Sequence, residues 1–92
     1  MRTLLISYDL RVPETSEDYK KLITYIKSFV LWAKPLYSVW FVKTTKTSAQ
    51  VRDEIKQHTD ANDRTLVIEV TESDWASNNV NQEVTDWMKE NL

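Results

Sequence analysis

Along the chain, short β-branched or aliphatic runs alternate with stretches whose apolar residues return every three or four positions, the two periods that distinguish strands from helices. Thr3 to Asp9 is a run of the first kind, closed by a Val12-Pro13 breaker, and reads as a strand entering a loop. Thr15 with Asp18 three residues on matches a capping box, and Tyr19, Leu22, Ile23, Ile26, Phe29, Val30 and Ala33 follow at helical spacing. This predicts an amphipathic helix that reaches Ala33 and is stopped by Pro35. Leu36 to Lys43 is aromatic and β-branched, which predicts one bent strand or two short ones. Thr47 with Gln50 caps a second helix marked by Ala49, Val51, Ile55 and His58 or Thr59. Asp60 to Asp63 is a turn, and Thr65 to Val70 is the clearest strand of the chain. Asn79 with Gln82 caps a last helix carrying Val80, Val84, Trp87, Met88 and Asn91 or Leu92 on one stripe.

The order is therefore β, α, β(β), α, β, α, and 92 residues make one domain. Strands alternating with crossover helices predict an α/β (α+β) sandwich, a split β-α-β arrangement of the ferredoxin-like kind with an additional C-terminal helix. Its core spans residues 3–70 and the extra helix residues 79–92. Strand side chains alternate between faces. With Leu4, Ile6, Leu66, Ile68 and Val70 under the helices, Leu5, Trp40, Val42 and Val67 point to a second, strongly apolar face. That face needs a cover, either the last helix or a second subunit.

Composition narrows the chemistry. With no glycine, the Gly-rich phosphate loops are excluded and turns must rely on Asn and Asp. With no cysteine there is no disulfide framework, thiolate metal site or thiol nucleophile, which suits a reducing cytosol. The opening apolar run is too short for a signal peptide, and nowhere do about 18 uncharged apolar residues follow one another. The expectation is a soluble cytoplasmic protein with no membrane span. A net charge of -2 argues against non-specific coating of nucleic acid. The average conceals an asymmetry: residues 1–46 carry eight Lys/Arg against four acids, a balance of +4, and residues 47–92 four against ten, or -6.

Among residues able to carry chemistry, Asp9 stands out because it ends the first strand just before a loop. The plainer alternative is a turn acid bonded to Arg11 or to a backbone amide. His58, the one histidine, is electrostatically at ease near a helix C-terminus. Ser7 and Ser38 have no histidine close in sequence, which weighs against a triad. The Asp60, Asn62, Asp63 cluster lacks the glycine and distal glutamate of a calcium loop and reads as a turn. Trp32, Trp40, Trp75 and Trp87 have the chemistry to stack on bases, although tryptophan more often fills a core.

Leu5-Ile6-Ser7-Tyr8-Asp9-Leu10 resembles the first-strand signature of the CRISPR-associated family numbered two among the Cas proteins, an apolar strand ending in Tyr-Asp and an aliphatic residue. Tyr37-Ser38-Val39-Trp40-Phe41 is similar to that family's second signature, with Trp40 at a Phe position, and one amphipathic helix separates the two. The virulence-associated protein D group shares this frame. Val42-Lys43-Thr44 and Asn62 to Val70 are more similar still to phage and bacterial proteins labelled SinR-like. The resemblance covers about residues 3–70. It departs in the C-terminal helix, where the Cas family has an exchanged strand, and in the arginines after the aspartate, here Arg11 alone. The resemblance implies a ferredoxin-like homodimer in which Asp9 of two subunits together hold one Mg²⁺ and orient a water against a phosphodiester. Ser7, Arg11 and Ser38 would then be supporting or phosphate contacts, with Lys43 and Lys46 as outer positioning charges. Two readings stay open: a dimeric Cas-two-like scaffold that associates with RNA, DNA or a protein partner, favoured by the low positive charge, and a metal-dependent endoribonuclease or nuclease with Asp9 as ligand.

Overall fold

The computed structural model describes residues 1–13 and 16–92. Four strands and three helices follow in the order β1 (Arg2–Asp9), α1 (Glu17–Lys27), β2 (Leu31–Leu36), β3 (Val39–Thr44), α2 (Ser48–Lys56), β4 (Arg64–Glu69) and α3 (Gln82–Asn91). The strands form one sheet in the order β2-β3-β1-β4, and every neighbouring pair is antiparallel. The result is a mixed α/β domain in which β3 lies between β1 and β2, the strands that α1 connects.

Each helix starts at a side chain that satisfies one of its free amides. Ser16 caps α1 by accepting from the Tyr19 amide; the expected Thr15 cap lies outside the described residues. Thr47 and Gln50 form the full reciprocal capping box of α2, as their spacing predicts. The cap of α3 is Asn81, not Asn79. Asn79 instead takes a left-handed backbone with φ 61°, and Glu72 takes φ 54°, so an asparagine and a glutamate fill positions glycine usually serves.

The first helix ends at Lys27, well short of the predicted Ala33. The Ser28 amide donates to the Tyr25 carbonyl and closes the helix, and Leu31 to Leu36 becomes the edge strand β2. Proline is tolerated there because one side of an edge strand has no ladder partner. The β2–β3 register also shifts between Ala33 and Leu36, a bulge around Pro35.

Register decides the faces. Ile6 stands opposite both Trp40 and Val67, and Leu4 opposite Val42, so all five point to the side of α1 and α2. There Leu4, Ile6, Trp40 and Val42 pack with Leu22, Ile26, Val51 and Ile55 in the main core. This corrects the expectation that Trp40, Val42 and Val67 face away and that Leu66 and Ile68 lie under the helices. Leu66 pairs with Ser7 and Ile68 with Leu5 on the second face, where they are 56% and 44% exposed. The one-residue alternation of β4 is apolar in both phases, so pattern alone leaves its face undecided.

The second face is half covered. Trp87 of α3 stacks on Phe41 with ring centroids 6.2 Å apart, Met88 is buried, and the Thr3 hydroxyl donates to the Asn91 carbonyl. This places α3 over the β2–β3 side and the start of β1. The β4 side, with Leu66 and Ile68, stays open. No helix among the described residues is long and apolar enough to cross a membrane.

Candidate functional site

The end of β1 opens into a shallow hollow of about 230 Å³ lined by Ser7, Tyr8, Asp9, Arg64, Thr65 and Leu66. Asp9 is exposed, Ser7 shares its face two residues back, and Arg64 is its register partner on β4. Beneath them the Trp40 indole donates from Nε1 to the Tyr8 hydroxyl at 3.0 Å, and Tyr8 meets Tyr19 edge to face. This buried pair fixes the strand from which Ser7 and Asp9 project.

The Arg11 amide donates to Asp63 Oδ1 at 2.8 Å, and Asp63 Oδ2 accepts from the Asp60 amide, which ties the loop after β1 to the turn before β4. The negative charge of Asp18 raises the Asp60 carboxyl above its usual range, with Asp63 adding to the effect. This acidic neighbourhood beside Arg11 opposes a polyanion. Ser38 sits half-buried in the turn between β2 and β3, whose first residue pairs with Ser7.

Lys43 and Lys46 belong to the other end of the sheet. Lys43 pairs in register with Thr3, six residues from Asp9, a separation of about 20 Å along a strand. Its ammonium donates to Asn91 Oδ1 at 3.2 Å, so it fastens α3 to the sheet. The Lys46 ammonium bonds both Glu54 oxygens at 2.8 Å, and Glu54 also accepts from the Tyr25 hydroxyl at 2.8 Å. The bonded Lys46 holds the Glu54 carboxyl below its usual range, while burial, then the bond to Glu54, pushes the Tyr25 hydroxyl up. Both lysines serve internal contacts. Of the predicted set, the fold thus gathers Ser7 and Asp9, with Arg11 and Ser38 in the adjoining loops, and leaves Lys43 and Lys46 apart.

For a metal, one chain offers the hollow a single carboxylate flanked by an arginine, and no group of three or more His, Asp or Glu among the described residues is arranged to hold an ion. A divalent cation favours several oxygen ligands, so the donors of one chain do not fit it.

A second constellation lies along β2, whose first residues, Leu31 to Ala33, the pattern assigned to the preceding helix. Trp32 is 37% exposed and Tyr37 63% exposed. The Lys27 ammonium lies 5.5 Å from the Trp32 ring, and the Lys34 ammonium 5.1 Å from both the Tyr37 and Trp40 rings. Beside them a groove of about 460 Å³ runs between β2 and α3, lined by Trp32, Lys34, Asn81, Glu83, Val84 and Trp87. Cations held over exposed rings offer a phosphate a partner and a base a stacking surface at once. No protein-family model matches the chain, and no solved structure matches it.

Proposed function

We propose that this chain is a ferredoxin-like, Cas-two-like homodimeric module that associates with single-stranded nucleic acid through the β2 edge and has no catalytic role of its own. The strand order β2-β3-β1-β4 supports the fold, since it is the order a split β-α-β sandwich requires. The exposed Leu66 and Ile68 on the open half of the sheet support the dimer. The nucleic-acid reading rests on one observation, the pairing of exposed Trp32 and Tyr37 with Lys27 and Lys34 along one edge. The nuclease reading draws on the exposed Asp9 at its strand end, and it requires a second chain to complete the ligand set.

Fluorescence anisotropy with labelled single-stranded RNA and DNA at low salt tests the proposal. Trp32→Ala should weaken binding roughly tenfold, the effect of losing one base-stacking platform. Lys34→Gln should lower the salt dependence by about one phosphate contact. Unchanged affinity in both variants, or no binding by the parent chain, would refute it. Mg²⁺-dependent cleavage that is abolished by Asp9→Asn would establish the nuclease instead.

A further inference from the structure

The two edges of the sheet are built differently. On β2 the ladder is broken by the Ala33–Leu36 bulge and by Pro35, features that blunt an edge against pairing. The β4 edge has no proline, no bulge in its pairing with β1 and no lysine over Arg64–Glu69. It is also rich in β-branched and aliphatic residues, and its outward apolar side chains are exposed.

We propose that the free edge of β4 docks a second copy of this chain, antiparallel to itself across a two-fold axis at Val67, joining two four-stranded sheets into one. The inference rests on the homodimer in the function proposed above and names its surface. A two-fold axis perpendicular to the sheet keeps each face continuous, so residues that meet must share a face. With Val67 opposite its own copy, Leu66 meets the partner's Ile68, and Ile68 the partner's Leu66. The two exposed apolar residues of β4 in each chain thereby become directly opposed cross-strand pairs. Thr65 meets the partner's Glu69.

Charge agrees with the register. β4 begins in Arg64 and ends in Glu69, which also pairs with Arg2 of its own chain at 3.4 Å, so antiparallel pairing brings the basic end of each copy alongside the acidic end of the other. Arg64 comes opposite the partner's Val70, next to the partner's Glu69 along the strand. A strand whose sequence is complementary to its own reverse suits a second copy better than an unrelated segment.

This geometry separates the two Asp9 side chains. Each lies one strand inward of β4, opposite Arg64, three residues from the axis. From strand spacing and rise, the two are about 25 Å apart, too far to share an ion.

Cysteine cross-linking reads the register cleanly because the chain contains no cysteine. Mixed under mild oxidation, Leu66→Cys and Ile68→Cys chains should give a disulfide-linked pair, whereas each variant alone should give at least several-fold less. Light scattering should find the parent chain dimeric at tens of micromolar and the Leu66→Lys/Ile68→Lys variant monomeric, with its circular dichroism retained. A dimer that survives the two lysines, gives no mixed cross-link and instead cross-links as Asp9→Cys would overturn the β4 edge while keeping the homodimer. A monomeric parent chain at 100 micromolar would overturn both.

Discussion

Tyr8→Phe removes the buried bond beneath the hollow. Trp40 is only 2% exposed, and its one N–H donates to the Tyr8 hydroxyl at 3.0 Å. Removing that oxygen leaves the ring packing against Tyr19 almost unaltered but strands a buried donor, which costs about 1–3 kcal/mol. For a domain near this size each kcal/mol moves Tm by about 4–8 °C, so the variant should melt roughly 5–20 °C lower. Thermal unfolding followed by circular dichroism measures this directly. Pairing the change with Trp40→Phe separates the bond from the packing. Once the donor has gone, loss of the hydroxyl should matter less, and the double-mutant cycle should return a coupling of about 1 kcal/mol. A Tyr8→Phe melting point within 2 °C of the parent, or a coupling indistinguishable from zero, would refute the assignment of that bond to the stability of β1.

Other expectations concern local devices. Thr47→Ala removes the hydroxyl that accepts from the Gln50 amide at 3.2 Å and should destabilise the chain by about 1 kcal/mol, with Thr47→Ser close to parent in urea unfolding. The folded Glu54 carboxyl is held low, so its contribution is complete above the unfolded carboxyl pKa and is lost as pH falls through the folded value. Glu54→Gln should therefore flatten the decline in stability between neutral pH and about pH 3, by no more than about 1 kcal/mol because the pair with Lys46 is partly exposed. An equally steep decline in the variant would assign the acid sensitivity to other carboxylates.

Legibility followed the range of the interaction that fixes each feature. The Thr47-Gln50 capping box is complete within four residues, and the structure has it as read. Asp9 at a strand end was equally local. The end of α1 was not: Phe29, Val30 and Ala33 continue the helical spacing, and only pairing with β3 makes Leu31 to Leu36 a strand. The β2 edge depends on the same pairing, because Lys27 reaches the Trp32 ring and Lys34 the Tyr37 ring only when the chain is extended there. The faces of β4 were undecidable for a related reason, since Leu66, Val67 and Ile68 are apolar in both phases and the choice is made by Ser7, Ile6 and Leu5 opposite them. The separation of Lys43 and Lys46 from Asp9 likewise depends on which strand lies beside which.

The left-handed residues Glu72 and Asn79 lead to the other side of the folding equilibrium. Glycine is the residue that loses most freedom when a chain orders, and replacing one by alanine at a compatible site stabilises by about 0.4–1 kcal/mol through the disordered ensemble. A chain of average composition and this length would carry about six glycines; this one has none. Its denatured ensemble is therefore narrower than usual by roughly 2–6 kcal/mol of chain entropy, against about 1–2 kcal/mol for each of the two residues held at positive φ. For a short chain with a thin core, part of the preference for the native state thus resides in what the unfolded polypeptide is unable to explore.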